Sequence, residues 1–167
     1  SRAIRKQHGL KYITAVPNNI FGENDNFDLH NSHVVPAVIR KIFEANQNKN
    51  IPNFWGSGLP LREFTYSKDI AEALLLLTEK YDDASPINIG NPGEISIKDL
   101  VRMVCKELNY TGKIEWDSSK PEGQYRKPSC NKKFMKIFPS FMYTSINESL
   151  KETCNWFVKS YPNIRGI

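Results

Sequence analysis

Sulfur, histidine and long apolar runs are all scarce in this chain. Its 167 residues include only three cysteines, Cys105, Cys130 and Cys154, far apart and in no C-x-x-C pair. An odd count without short spacings excludes a disulfide framework and a structural zinc site, so a reducing, cytoplasmic setting is expected. The three histidines offer one close pair, His30 and His33, with no third ligand at a sensible spacing, and no metal site is expected. The longest apolar run, Ala73 to Leu77, is flanked by Glu72 and Glu79 and falls far short of the ~20 residues that cross a bilayer. The opening residues, Ser1-Arg2-Ala3-Ile4-Arg5-Lys6, lack the apolar segment of a signal peptide, and no membrane partner is expected.

Two motifs are missing as well. No glycine-rich fingerprint follows a strand and opens a helix; Gly56-Ser57-Gly58 leads from a turn into a strand. No Tyr-x-x-x-Lys occurs either, since Tyr66 meets a lysine after one residue and Tyr110 after two. The formal charge of +5 is a modest excess that suits an anionic small ligand. Aromatics do stand among basic residues (Trp55, Tyr125, Arg126, Lys132, Lys133, Lys136), but no nucleic-acid-binding module is recognisable, so no nucleic-acid partner is expected.

The pattern that is present alternates strands and helices, which predicts an α/β fold. Residues 1 to 8 read as a helix end stopped by Gly9, and Lys11 to Val16 as a strand. Pro17 to Asn31 reads as a polar loop. Ser32 is the expected N-cap of a helix reaching about Asn46, whose hydrogen-bonded ladder starts near Pro36. Two short strands, Ile51 to Trp55 and Leu61 to Thr65, flank a Gly-Ser-Gly-Leu-Pro turn. Ser67 is expected to cap a helix through Lys80 that buries Ile70, Ala73, Leu74 and Leu77. Ile87 to Ile89 is a strand stub, and Ser96/Asp99 and Ser145/Glu148 are capping boxes of two further helices. Asp117 to Asn131 has neither period; a loop of that length in a compact domain is functional or disordered.

Several residues stand where chemistry is done. His33, at the mouth of a helix, can give or take a proton near neutral pH, or can be satisfied by a neighbouring backbone group. Trp55, at a strand end beside a flexible turn, can cover a base or pack in a core. Arg62 can fork onto a pyrophosphate or form a surface pair with Glu63. The loop Lys120 to Lys127 joins basic residues to Glu122, whose carboxylate can accept from a guanine edge, or it is a solvated, mobile segment.

These motifs carry a resemblance. Gly22-x-x-Asp25-Asn26-Phe27 with Ser32-His33-Val34-x-Pro36-Ala37, Trp55-Gly56-Ser57-Gly58, Arg62-Glu63-Phe64-Thr65-Tyr66-Ser67-Lys68-Asp69, and Lys120-Pro121-x-Gly123-x-x-Arg126-Lys127 together resemble the GDP-L-fucose synthase family of extended short-chain dehydrogenase/reductases, from about Gly9 to Trp156. The resemblance implies NADP(H)-dependent epimerisation at two carbons of GDP-4-keto-6-deoxy-D-mannose, then reduction of its ketone. It makes His33 the acid of epimerisation and a neighbour of the cofactor. Pro17, Asn18, Asn19 and Ile20 become the loop along the nicotinamide half of NADP, and Lys41, Trp55, Arg62, Glu122 and Lys127 contacts to the GDP-sugar. Lys41 stands where that family often has arginine, and Glu122 where aspartate is usual.

The resemblance further implies a C-terminal substrate-binding domain over residues 1–167, with residues 1–22 and about 86–91 as remnant strands of a Rossmann cofactor domain. The family's serine, its catalytic cysteine and its Tyr/Lys pair lie outside these residues, which leads us to expect no activity from the chain alone. A homodimer is implied for the parent enzyme, and self-association is expected where the isolated chain leaves strand edges open. The alternatives are a fragment of another nucleotide-sugar epimerase or dehydratase, and a non-catalytic association module.

Overall fold

The computed structural model describes all 167 residues. In chain order the elements are α1 (Arg2–His8), β1 (Ala15–Val16), β2 (Asn19–Phe21), α2 (Val34–Asn48), β3 (Asn53–Trp55), β4 (Leu61–Tyr66), α3 (Ser67–Lys80), β5 (Ile87–Asn88), β6 (Glu94–Ser96), α4 (Ile97–Glu107), β7 (Glu115–Asp117), α5 (Lys132–Ile137) and α6 (Ile146–Ser160). This is the α/β arrangement that the alternation predicted, with the strands split among three small sheets: β1-β5, β2-β4-β6 and β3-β7. All pairings are parallel except β4 with β6. Parallel neighbours need a covered crossover, and α2 supplies it between β2 and β4.

Both capping boxes form. The Ser96 hydroxyl accepts from the Asp99 N–H at 3.0 Å, and Ser145 from the Glu148 N–H at 3.2 Å. Gly9 caps α1 as expected, its N–H returning to the Arg5 carbonyl. Other boundaries need correction. The strand expected from Lys11 shrinks to Ala15–Val16, because only Thr14 to Val16 finds a partner, through Ile87 and Ile89. His33, not Ser32, is the N-cap of α2; the Ser32 N–H is already held by the Asp28 carbonyl at 2.7 Å, and the helix starts one residue later. Pro36 then falls within the first turn, where a missing N–H leaves nothing unsatisfied. Tyr66 rather than Ser67 precedes α3, and Leu74 is 41% exposed instead of buried, because α3 turns the face of Asp69, Ile70, Ala73 and Leu77 inward.

Three short strands and one short helix were not anticipated. β2 lies inside the expected loop and pairs with β4 (Asn19 opposite Phe64), so part of the 1–22 segment joins the β4 sheet rather than that of β1 and β5. β7 runs beside β3, β6 beside β4, and α5 follows the long loop. The interior falls into two clusters. The larger runs between α2, α4, α6 and strands β2 to β4; the smaller lies beneath α3, α5 and β5. No helix is long and apolar enough to cross a membrane.

Candidate functional site

The turn after β3 shapes the site. Gly56 and Gly58 have φ of 76° and 75°, in the region that glycine enters without strain. A Cβ on Gly58 would lie 2.5 Å from the Trp116 ring, which tilts against Phe54 at 5.5 Å between centroids. This close turn pushes Trp55 outward, 63% exposed, at the rim of a cleft of about 410 Å³. α2 forms the facing wall: Val34, Ala37, Val38 and Lys41 share one face, spaced over ~10 Å of helix. Arg62, Pro60 and Ile97 close the floor, and Pro121 and Glu122 reach in from the long loop.

Four predicted residues, Lys41, Trp55, Arg62 and Glu122, therefore meet in one cleft. Lys41 donates to the Asn53 carbonyl at 3.0 Å and lies over the Phe54 ring at 5.4 Å, and burial pushes its pKa down. A desolvated ammonium of this kind gains by meeting an anion. The Arg62 Nη1 donates to its own residue's neighbour, the Leu61 carbonyl, at 2.7 Å. It has no ion pair with Glu63, because Glu63 turns inward and is only 2% exposed. Glu122 lines the cleft with one carboxylate oxygen already engaged. Its carboxylate accepts from the Ser57 N–H, and the Ser57 side chain first and that N–H second hold its pKa below the ordinary value. Its stem fills the space that a Cβ on Gly56 would need.

A second cleft, of about 440 Å³, is lined by Asn18 to Asp25, His33 and Ser67. Asn19 borders both clefts, so the two adjoin there. His33 is exposed and its ring makes no capping bond to α2, which removes the reading of a histidine satisfied by its helix. Asn18, Asn19 and Ile20 line this second cleft, but Pro17 and Lys127 line neither. Asn18 faces the protein: its amide donates to the Glu63 carboxylate at 3.1 Å and the Asn91 carbonyl at 2.8 Å, and its oxygen accepts from Thr65 at 2.5 Å.

Sequence reasoning missed Glu63 as a structural centre. Its carboxylate also takes the Ser129 N–H at 2.9 Å and the Ser129 hydroxyl at 2.5 Å, tying β4 to the end of the long loop. An acidic residue inside an otherwise inward-facing strand was the available signal. The rest of that loop is pinned by the Leu61 N–H to the Tyr125 carbonyl at 2.8 Å and by the Arg126–Glu94 ion pair at 2.5 Å. Ser32, expected as a cap, instead lines the first cleft. His30 lines that cleft and His33 the other, and no group of three or more His, Cys, Asp or Glu side chains could hold a metal. Burial pushes the thiols of Cys105 and Cys154 up to about 11 and about 12, so neither offers a thiolate nucleophile near neutral pH.

Known proteins resemble this chain in sequence and in fold. A GDP-L-fucose synthase of Dictyostelium discoideum is 35% identical over 99% of this chain and 52% of its own length. One from Sinorhizobium fredii is 47% identical over 75% of this chain and 40% of its own length. A crystal structure of a GDP-L-fucose synthetase from Naegleria fowleri bound to NADP matches with a TM-score of 0.93 at 36% identity, over 98% of this chain and 52% of that one. The chain spans about half the length of the curated relatives it matches. The model of the NAD dependent epimerase/dehydratase family matches residues 1–90, more than half of the sequence, and the chain belongs to that family.

Proposed function

We propose that this chain is the sugar-nucleotide-binding part of an NADP-dependent GDP-4-keto-6-deoxy-D-mannose 3,5-epimerase-4-reductase. The observation that carries this reading is the meeting of Lys41, Trp55 and Arg62 in one cleft that adjoins, through Asn19, the cleft of His33. The exposed Trp55 ring supplies a stacking face for a base, and Lys41 and Arg62 supply positive charge for a pyrophosphate. The hexose would then extend along α2 toward Asn19 and His33. At that end an unengaged imidazole can return a proton to a sugar carbon beside the ketone, a placed acid being worth on the order of 10²–10⁴ in rate. In this reading residues 1–22 and about 86–91 belong to the cofactor side.

The second cleft suits one end of an NADP(H). Its volume of about 440 Å³ is that of an ordinary ligand pocket, and Asn19 and His33 bring an amide and an imidazole to it. The cofactor, when bound, supplies the hydride that reduces the ketone. Asn18 would act there by shape, since its amide is engaged by Glu63, Asn91 and Thr65.

A related enzyme reading another base is favoured by one observation, the Glu122 carboxylate already engaged by the Ser57 N–H at the rim of the cleft. Calorimetric titration of the chain with GDP, UDP and dTDP at low salt separates the two. Saturable binding of GDP alone, lost in Trp55→Ala and Arg62→Ala, is the expected result. Preference for UDP or dTDP would transfer the assignment to the other base, and no binding of any of the three would overturn a nucleotide site in this chain.

A further inference from the structure

One polar atom in this chain is unaccounted for. Ser32 Oγ is the sole buried side-chain nitrogen or oxygen with no hydrogen-bond partner. A hydroxyl removed from water without a partner is costly, so a native structure retains one where something else completes it. Ser32 is partly buried and forms part of the wall of the Lys41–Trp55–Arg62 cleft. Its backbone is fixed by the bond from its N–H to the Asp28 carbonyl at 2.7 Å, and the next residue, His33, is the N-cap of α2. That bond fixes the backbone and not the side chain, so the hydroxyl, which serves as no cap although serine here commonly does, can turn about its Cα–Cβ bond to meet a group that enters the cleft.

Position along α2 narrows the partner. Lys41 marks one end of the cleft, against Asn53 and Phe54 and beside Trp55. Ser32 marks the other end, just before the N-terminus of α2 and next in sequence to His33 of the adjoining cleft. A nucleotide with its base at Trp55 would bring its hexose, not its base, to Ser32. We propose that Ser32 is a substrate-positioning residue whose hydroxyl hydrogen-bonds an oxygen of the hexose, fixing the sugar ring beside His33. The inference rests on the sugar-nucleotide reading given above and assigns within it a residue that hands no proton to the reaction.

The test exploits opposite signs. Removing an unpaired buried hydroxyl should leave the ligand-free chain as stable as before or slightly more so, so Ser32→Ala should melt at or above the wild-type temperature. The same substitution should weaken binding of GDP-mannose by about tenfold, on the order of one lost hydrogen bond to a neutral group, while binding of GDP stays unchanged. Ser32→Thr, which keeps the hydroxyl, should retain most of the GDP-mannose affinity. Equal losses for GDP and GDP-mannose would assign Ser32 to general packing of the cleft and overturn the proposal. No loss for either ligand would mean that water completes the hydroxyl, and would overturn it too. A wild-type chain that binds GDP but shows no hexose-dependent effect leaves the nucleotide reading standing, whereas one that binds neither removes both.

Discussion

The two hydrophobic clusters reach the surface in different ways. The larger is sealed on one side by α6, whose Phe157 meets the rings of Phe27, Phe43 and Tyr161 at 4.7, 5.3 and 5.8 Å, and its other side carries the nucleotide-sized cleft. The smaller ends at β1 and β5, a sheet of two strands, beside Leu10, Tyr12 and Val16 lying exposed and an α1 that buries nothing. One region has its apolar surface covered by its own chain; the other has an open edge. A cleft built on the covered region can keep its shape without help, whereas the open edge is where another surface would add most.

The largest expected effect breaks the covered region. Phe157→Ala removes a fully buried ring from the junction of α6 with α2 and should cost ~3–5 kcal/mol, read as a shift of the urea midpoint. GDP binding should fall with it, since Val38 lies both in that core and in the cleft wall. A loss below 1 kcal/mol would show that the aromatic contacts do not seal this cluster.

Glu63 comes next, because it joins the covered region to the loop that overhangs the cleft. Glu63→Gln keeps the shape but removes the charge that accepts from Ser129 and Asn18, and hydrogen bonds to charged groups contribute ~1.5–3 kcal/mol. The expected result is a destabilisation of that order together with faster amide exchange at Ser129. Unchanged exchange there would mean that the loop is held by its other anchors alone.

What could be read ahead of the structure follows the same division. Helix starts announced by local chemistry, such as Ser96/Asp99 and Ser145/Glu148, were legible because a capping box lies within four residues. β2, β6 and β7 were not, because each is a strand only by virtue of a partner far away in sequence: Asn19 to Phe64, Glu94 to Glu63, and Glu115 to Asn53. Polar residues such as Asn18 and Asn19 signal a loop locally, and only the fold turns the Asn18 amide into a tie between Glu63, Thr65 and Asn91. Of the site, the motifs led to Lys41, Trp55, Arg62 and Glu122 in one cleft and to His33 in the next. Lys127 lines neither cleft, and beside it Arg126 is drawn to Glu94, a pairing that only the fold reveals.

The open edge gives a smaller effect, read in association rather than stability. Apolar side chains at 49%, 50% and 42% exposure, Leu10, Tyr12 and Val16, lie on or just before β1, an edge strand of a two-stranded sheet, and self-association through this face is the expected behaviour of the isolated chain. Tyr12→Lys with Val16→Lys should shift sedimentation toward monomer while changing stability by less than ~0.5 kcal/mol, since neither side chain is buried. Association that persists undiminished in the double variant would place the contact elsewhere.

The smallest effect concerns the last anchor of the loop, the Glu94–Arg126 pair. The Arg126 guanidinium holds the Glu94 carboxyl below its ordinary value of 4.5. A carboxylate with a depressed folded pKa stabilises fully above the unfolded value, and that contribution is lost as pH falls through the folded one. Amide protection factors in residues 118–126 should therefore stay level from pH 8 down to about 5 and decline only below the ordinary glutamate range. Glu94→Gln should lower protection of the Leu61 and Arg126 amides at neutral pH while leaving α6 untouched, because the pair touches only the loop and β6. If the loop is as protected in Glu94→Gln as in the wild type, the ion pair is a solvated surface contact of little worth, and the overhang of the cleft is held by Glu63 and the Leu61–Tyr125 backbone bond.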